Sequence, residues 1–488
     1  MKKYIKQSTL VVLTGCLSLF SCKKALDINQ DPNRLTGNQV SISNLLPSGE
    51  QYLASSFYNA GAYGLFYTQY LAGAASYQQN IDSYNPYGFD ELWGPAYLSA
   101  MPNYNDIIKR ADQAGAPQYA GIARTMMALT LMQCADIWGD IPYSEAFQGS
   151  SNVSPHYDSM QNIYKDVKTL LDQAIANLNQ PNPTLPSLVV GSTDLIYGGN
   201  ITKWKKAAYA ARARYYINMS KKDPSAANYQ NAIADANLAI DDQTGASDLQ
   251  LFYNQTIPSP WFSLSNTTAG SRYARPSQFF VNLMNGNGYF AGVFDPRLPK
   301  EVDNGGKATY VGHPEGTLDN DQANGADQTN VDITTNTYYG QRTSPVPIIT
   351  YSEVQFIKAE ALLKTGDQVN AYIAYQNGIK GNMIKLGVAT ADMNTYLANP
   401  VVSKGAAGLT IADVMLQKYI ALFLQMETWT DMRRYQYDPN VYVGLKQPIH
   451  NVLGNVWVQR GNYPDVEPGR NPNVPKSLNQ TNVLWLFQ

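Results

Sequence analysis

Several groups of residues have types and spacings that could do chemistry. Asp295-Pro296-Arg297, and Tyr463-Pro464 followed by Glu467, set charged groups beside rigid turns. Proline fixes the turn in each case, and Arg297 and Glu467 read as hydrogen-bonding partners for backbone ends rather than as catalysts. Asp136, Asp140 and Glu145 fall where Gly139 and Pro142 end a helix, so a turn scaffold is again expected over an acid/base pair. Glu353 and Glu360 are spaced to share a helix face. A glycosidase needs two carboxyls about 5–10 Å apart across the scissile bond, and no pair of acids here is singled out for that work. Arg433-Arg434 could hold a carboxylate or phosphate, but an ion pair at a helix end is the expected use.

His156, His313 and His450 are isolated, without the paired spacing of a zinc site. Asp319, Asp321, Asn324 and Gly325 faintly resemble a calcium loop, but Ala323, Asn324 and Asn330 occupy its fifth, glycine and terminal-Glu positions. Neither a phosphate-binding glycine loop nor a nucleophile elbow is present. No catalytic residue, metal ligand or cofactor is therefore assigned.

The aromatic and amide residues point instead to binding. A ligand with flat C–H faces and many hydroxyls, as a sugar has, is held by exposed rings with Asn, Gln, Asp or Arg alongside. The segment from Tyr77 to Phe89 reads as a loop of this kind, with Tyr77, Asn80, Tyr84 and Tyr87 and no helical stripe. Further along, Trp261, Arg272, Tyr273, Tyr338 and Tyr339 add to the set. Each ring has packing against the scaffold as its alternative use.

The elements that must position these residues are helical. Ile163, Val167, Leu170, Leu171, Ala174 and Leu178 form one apolar stripe, stopped by Asn179-Gln180-Pro181. Comparable patterns predict helices near 44–59, 89–113, 117–138, 200–221, 227–241, 351–365, 368–386 and 411–435, and a shorter one over 277–285. Helices joined by short Pro/Gly/Asn turns suggest stacked, tetratricopeptide-like pairs, with an irregular bundle as the alternative. The fold class is thus mostly α. Residues 242–350 and 440–488 read as irregular, partly β insertions, because a structureless loop of ~100 residues is improbable in a compact domain.

Of the 488 residues, 44% are hydrophobic and only 15% charged, with 35 Tyr and a net charge of −2. That excludes disorder and leaves no basic field for nucleic acid. Lys2, Lys3 and Lys6 precede an apolar run from Leu10 to Phe20. This is the layout of a signal peptide over residues 1–21, too short to span a bilayer. Leu19-Phe20-Ser21-Cys22 looks like a lipobox, with lipid on Cys22; an ordinary signal cleaved nearby is the alternative. Cys16 leaves with the signal, so Cys134 alone remains and reads as an inert core thiol. Residues 22–488 are expected to form one domain.

These landmarks together resemble the SusD/RagB outer-membrane lipoproteins of Bacteroidota over nearly the whole chain. They run in the family's order: Cys22 to Asp31-Pro32-Asn33, Trp93 with Asn103-Tyr104-Asn105, and Ala135-Asp136-Ile137-Trp138-Gly139-Asp140. Asp295-Pro296-Arg297-Leu298, Tyr351 to Ala361, Glu427-Thr428-Trp429 with Arg433-Arg434, and Tyr463-Pro464 with Glu467 and Asn471 follow. The resemblance implies a helical fold with tetratricopeptide-like pairs and a lipid anchor in the outer membrane, with the protein facing the cell exterior. It implies a non-catalytic protein that binds an oligosaccharide, or in some members a peptide, and passes it to a SusC-type TonB-dependent transporter. A lipid-anchored glycoside hydrolase is a further alternative. Lys23 and Lys24 depart from the acidic residues that often follow the lipidated Cys in surface-displayed members.

Overall fold

A computed structural model describes residues 40–265, 273–318 and 329–488. The signal segment, Cys22 and its leader, Arg272, and the acidic stretch from Asp319 to Gly325 lie outside the described residues.

Local sequence signals start most of the long helices. Ser41 begins α1 (Ile42–Gly64) by accepting a hydrogen bond from the Asn44 amide at 3.2 Å. After α2 (Tyr77–Asp82), α3 (Asp90–Pro95) runs through a π-turn over Ala96–Ala100 into α4 (Met101–Ala114). Gly115 takes a left-handed φ of 69° and Pro117 opens α5 (Pro117–Trp138), so the chain reverses within two residues. Ser159 caps α6 (Met160–Leu178), and Asn200 caps α7 (Ile201–Met219) ahead of α8 (Ala226–Ala236). Beyond the insertion, which carries α9 (Gln278–Met284), Thr350 caps α10 (Tyr351–Lys364) and Asp367 caps α11 (Gln368–Lys385). The short α12 (Thr390–Ala398) leads to α13 (Ile411–Ala421), opened by a Thr410/Asp413 capping box, and to α14 (Glu427–Arg434).

Successive helices are spatial neighbours. The series α4, α5, α6, α7 and α8 packs pair on pair and continues through α10 to α11, while α1 lies across α4 and α5. This is a mostly α fold built from stacked helix pairs. Strands are short among the described residues: β1 (Leu71–Gly73), between α1 and α2, pairs antiparallel with β3 (Ala274–Pro276) of the insertion, and β2 (Leu249–Leu251) with β4 (Val346–Ile349).

Two expectations change. The helix expected over 411–435 is two helices, because Leu424 takes a left-handed φ of 66° and breaks the run. Leu416, Ile420, Phe423 and Met426 remain buried, so their spacing marked the core and not one continuous helix. The 77–89 loop contains α2.

Most of the charged motifs are buried inside this scaffold, while Asp140, Glu145 and Glu467 are half-buried. Arg214 on α7 binds Glu353 on α10 through two bonds of 2.6 and 2.7 Å. Arg434 on α14 reaches both Glu360 oxygens, at 2.7 and 2.9 Å, and Asp431 at 2.6 Å; Lys418 on α13 meets the other Asp431 oxygen at 2.7 Å. Arg433 donates to the Asp136 carbonyl, and its guanidinium lies 3.7 Å from the Trp429 ring centroid. Arg297 is held by Asp295, Gln417 and Asn382, and Glu467 accepts from Trp93 Nε1 and the Tyr157 hydroxyl. Both are structural as expected, but their partners are side chains and not the backbone ends anticipated. Asp140 accepts from the Met160 amide and Glu145 from the His156 amide, which makes them turn scaffolds. Cys134 is buried, and burial pushes its thiol well above the ordinary range.

Two buried acids that form none of the ion pairs above give the fold a pH dependence. Burial, reinforced by Asp194, pushes the Glu50 carboxyl up to about 10, and burial pushes Asp82 up to about 8. Both hold a proton when folded that they release when unfolded, so raising the pH favours unfolding. Each costs about 1.4 kcal/mol of stability per pH unit between its unfolded and folded values. Asp431 is shifted the opposite way by Lys418 and Arg434, against the burial that opposes it. Its stabilisation is lost as the pH falls through its lowered value. The melting temperature is therefore expected to rise as the pH is lowered from 9 to about 5; a flat or falling profile over that range would contradict these assignments.

Candidate ligand-binding ledge

The ledge is assembled around the C-terminal half of α1. Gly73 in β1 allows α2 to approach closely, since a Cβ there would lie 2.6 Å from the Gln78 backbone. Asp82 at the end of α2 accepts from the Gly73 and Gly316 amides at 2.9 and 2.7 Å, which pins α2 to β1 and to the insertion. Downstream, Phe89 is buried among Tyr67, Trp138 and Trp429, and Trp138 Nε1 donates to the Gly88 carbonyl at 3.2 Å. Asn59 on α1 donates to the Glu91 carbonyl at 2.8 Å and so fixes the start of α3. With both ends of the segment held, Tyr77 and Tyr87 both fall beside Tyr63.

The Tyr63 ring lies 4.7 Å from Tyr87 and 6.3 Å from Tyr77, centroid to centroid, at interplanar angles of 32° and 43°. Tyr77 is 42% exposed, while Tyr63 and Tyr87 are half-buried. The Tyr87 hydroxyl donates to Glu91 Oε2. Burial, with the hydrogen bond to Glu91, raises the Tyr87 hydroxyl far above its ordinary range; burial, with Tyr77, does the same for Tyr63. All three phenols are thus neutral at physiological pH. Tyr273 joins this surface, because its carbonyl accepts from the Ala74 amide at 2.9 Å and its ring is 47% exposed. Asn80 is exposed on α2.

Of the expected residues, the structure brings Tyr77 and Tyr87 together beside Tyr63, with Asn80 exposed on the same short helix as Tyr77 and Tyr273 exposed next to Ala74. It turns three expected contact residues inward. Tyr84 is 1% exposed, wedged between Tyr67 and Trp457, with its backbone at φ 66°. Trp261 is buried edge-on against Tyr58, 4.7 Å between centroids, and over Gly61 of α1. Tyr339 is buried against Phe423, and the half-buried Tyr338 packs on it at 5.0 Å. None of these buried rings offers a face to a ligand; Trp261 and Tyr339 pack the insertion onto the scaffold, and Tyr84 packs against the C-terminal region. Tyr63 and Glu91, which the sequence reading missed, are central. Tyr63 lies inside a long helix, where an aromatic reads as helix surface, and its closeness to Tyr77 follows only from the β1–α2 turn.

Chemically, the ledge offers tilted ring faces for C–H contact, with phenol hydroxyls and the Glu91 carboxylate as hydrogen-bonding groups. No cluster of His, Cys, Asp or Glu suited to a metal ion occurs among the described residues. Among them, too, no helix is long and apolar enough to cross a membrane.

A family model described as "Starch-binding associating with outer membrane" matches residues 32–464. Solved structures share the fold. A SusD/RagB family protein from Bacteroides thetaiotaomicron is 21% identical, with a TM-score of 0.74 over 92% of this chain and 99% of that one. A SusD homolog from Bacteroides fragilis is 20% identical, with a TM-score of 0.73 over 92% of this chain and 100% of that one. A chitin-binding SusD homolog from Flavobacterium johnsoniae is 20% identical, with a TM-score of 0.71 over 92% of this chain and 96% of that one. No curated protein sequence matches. The chain, by its helix-pair scaffold and by the match across most of its length, belongs to the SusD-like family.

Proposed function

We propose that this protein is a non-catalytic oligosaccharide-binding protein, anchored by lipid on Cys22, that delivers its ligand to a SusC-type TonB-dependent transporter in the outer membrane. The observation that carries the reading is the grouping of Tyr63, Tyr77 and Tyr87 around Glu91 at the end of α1. Tilted neutral rings with few charges suit a neutral sugar better than a charged ligand. The family description and the chitin-binding homolog from Flavobacterium johnsoniae support a carbohydrate over a peptide. The prominent acids Glu353, Glu360 and Asp431 are engaged by Arg214, Arg434 and Lys418, which favours binding without turnover. An array of oligosaccharides and peptides tests this. Binding to an oligosaccharide without its cleavage is expected; binding to peptides alone, or turnover of a glycan, would overturn the reading.

The anchor has its own test. Cys22→Ala should shift the protein from the membrane fraction to the soluble fraction of cells. Retention of the variant in the membrane would contradict lipid attachment at Cys22.

A further inference from the structure

A second concavity, of about 750 Å³, opens between the π-turn after α3, the loop over 142–155 and the turn at 467–471. That volume is in the range of ligand pockets. Trp93, Tyr97 and Phe147 line it in series, with centroids 4.5 Å apart for the first pair and 6.4 Å for the second; Tyr97 and Phe147 are nearly parallel at 24°. Phe147 takes a left-handed φ of 63°, a conformation that a side chain of this bulk seldom adopts. Leu98, 82% exposed, lies at the edge, and Asn105, Gln148 and Arg470 supply polar groups.

This groove and the tyrosine ledge flank one helical segment. Glu91, which holds Tyr87 on the ledge, is followed on the solvent side by Gly94 and Leu98, both lining the groove. The spacing i, i+3 puts Glu91 and Gly94 on one face of α3, and Leu98 follows in the π-turn. Glu91 and Leu98 stand at opposite ends of this segment, one in α3 and the other in the π-turn, so a chain passing both spans more than one sugar ring, on the order of 10 Å. Gly94 keeps this path open, since a Cβ there would meet nothing within 4 Å.

We infer that the groove is a second subsite for the same oligosaccharide, so that a long chain runs from the ledge past Gly94 onto Tyr97 and Phe147. This rests on the ledge being a glycan site, and it adds a preference for chain length. The rings provide stacking faces and the amides and Arg470 provide hydrogen bonds to hydroxyls, the combination a carbohydrate groove needs.

Calorimetric titration with trimers and hexamers of N-acetylglucosamine (chitin type) and of glucose (starch type) tests it. Wild type should bind the hexamer of its preferred series at least tenfold more tightly than the trimer. Gly94→Trp, which fills open space across the path, should lower hexamer affinity to the trimer's level and leave the trimer unaffected. Phe147→Gly removes a ring and relaxes its backbone, so it should weaken hexamer binding while keeping the melting temperature. Equal wild-type affinity for trimer and hexamer, or folded variants that bind the hexamer as wild type does, overturns the second subsite and leaves the ledge standing. Failure of wild type to bind any of the four probes overturns both readings.

Discussion

Replacing Tyr77 and Tyr87 together by Ala is expected to weaken oligosaccharide binding about 50-fold, with the fold retained. Each ring face is worth about 1–1.5 kcal/mol, and two such losses give about 2–3 kcal/mol, with tenfold for every 1.4 kcal/mol. Tyr77 is partly exposed on a six-residue helix held by Asp82, and Tyr87 is half-buried beside Phe89, so neither truncation opens a large cavity. Removing Tyr87 also releases Glu91 from its hydroxyl partner. Tyr84→Ala is the informative contrast. That ring is buried, so its loss should cost about 3–5 kcal/mol of stability, as for other large aromatics, without removing a ligand contact. Calorimetric affinity and thermal melting, measured side by side, separate the two effects.

A stability effect as large as that of Tyr84→Ala is expected at Arg434. Its guanidinium meets both oxygens of Glu360 and one of Asp431, all at 2% side-chain exposure or less. Arg434→Ala leaves two carboxylates buried, with Lys418 compensating only Asp431. Breaking a buried pair from one side costs about 3–5 kcal/mol, a large part of a typical domain's stability of about 5–15 kcal/mol. The denaturation midpoint should fall accordingly. Replacing Arg434 and Glu360 together by Leu and Met should recover part of that loss, because no Glu360 charge is then left unpaired. A double variant no more stable than Arg434→Ala would show that shape, and not charge, governs the site.

The helices were legible where a stripe met a stop. Gly115-Ala116-Pro117 separates α4 from α5, and Asn179-Gln180-Pro181 follows α6, so local residues alone mark those ends. The break at Leu424 was not legible, because no glycine or proline stands there and the apolar spacing runs straight through it. Tertiary packing holds a leucine in a left-handed conformation that local propensity disfavours. The ledge was half legible for a similar reason. Tyr84 and Tyr87 sit in one polar segment and look alike in sequence, yet Trp457 and Gln480, far along the chain, draw only Tyr84 inward. Tyr63 and Glu91 carried no signal of their own, since only the turn through β1 and α2 brings Tyr77 back over α1. The charged landmarks told position more than role: Arg297, Glu360 and Arg434 stood out because charge is rare in this chain, and the structure spends them inside the core.

The most direct test of the central claim is a crystal structure of the protein with an oligosaccharide it binds. A sugar ring should lie in contact with Tyr77 or Tyr87, with a hydroxyl donating to the Glu91 carboxylate. A ligand seated away from this surface, with Tyr63, Tyr77 and Tyr87 untouched, would contradict the account.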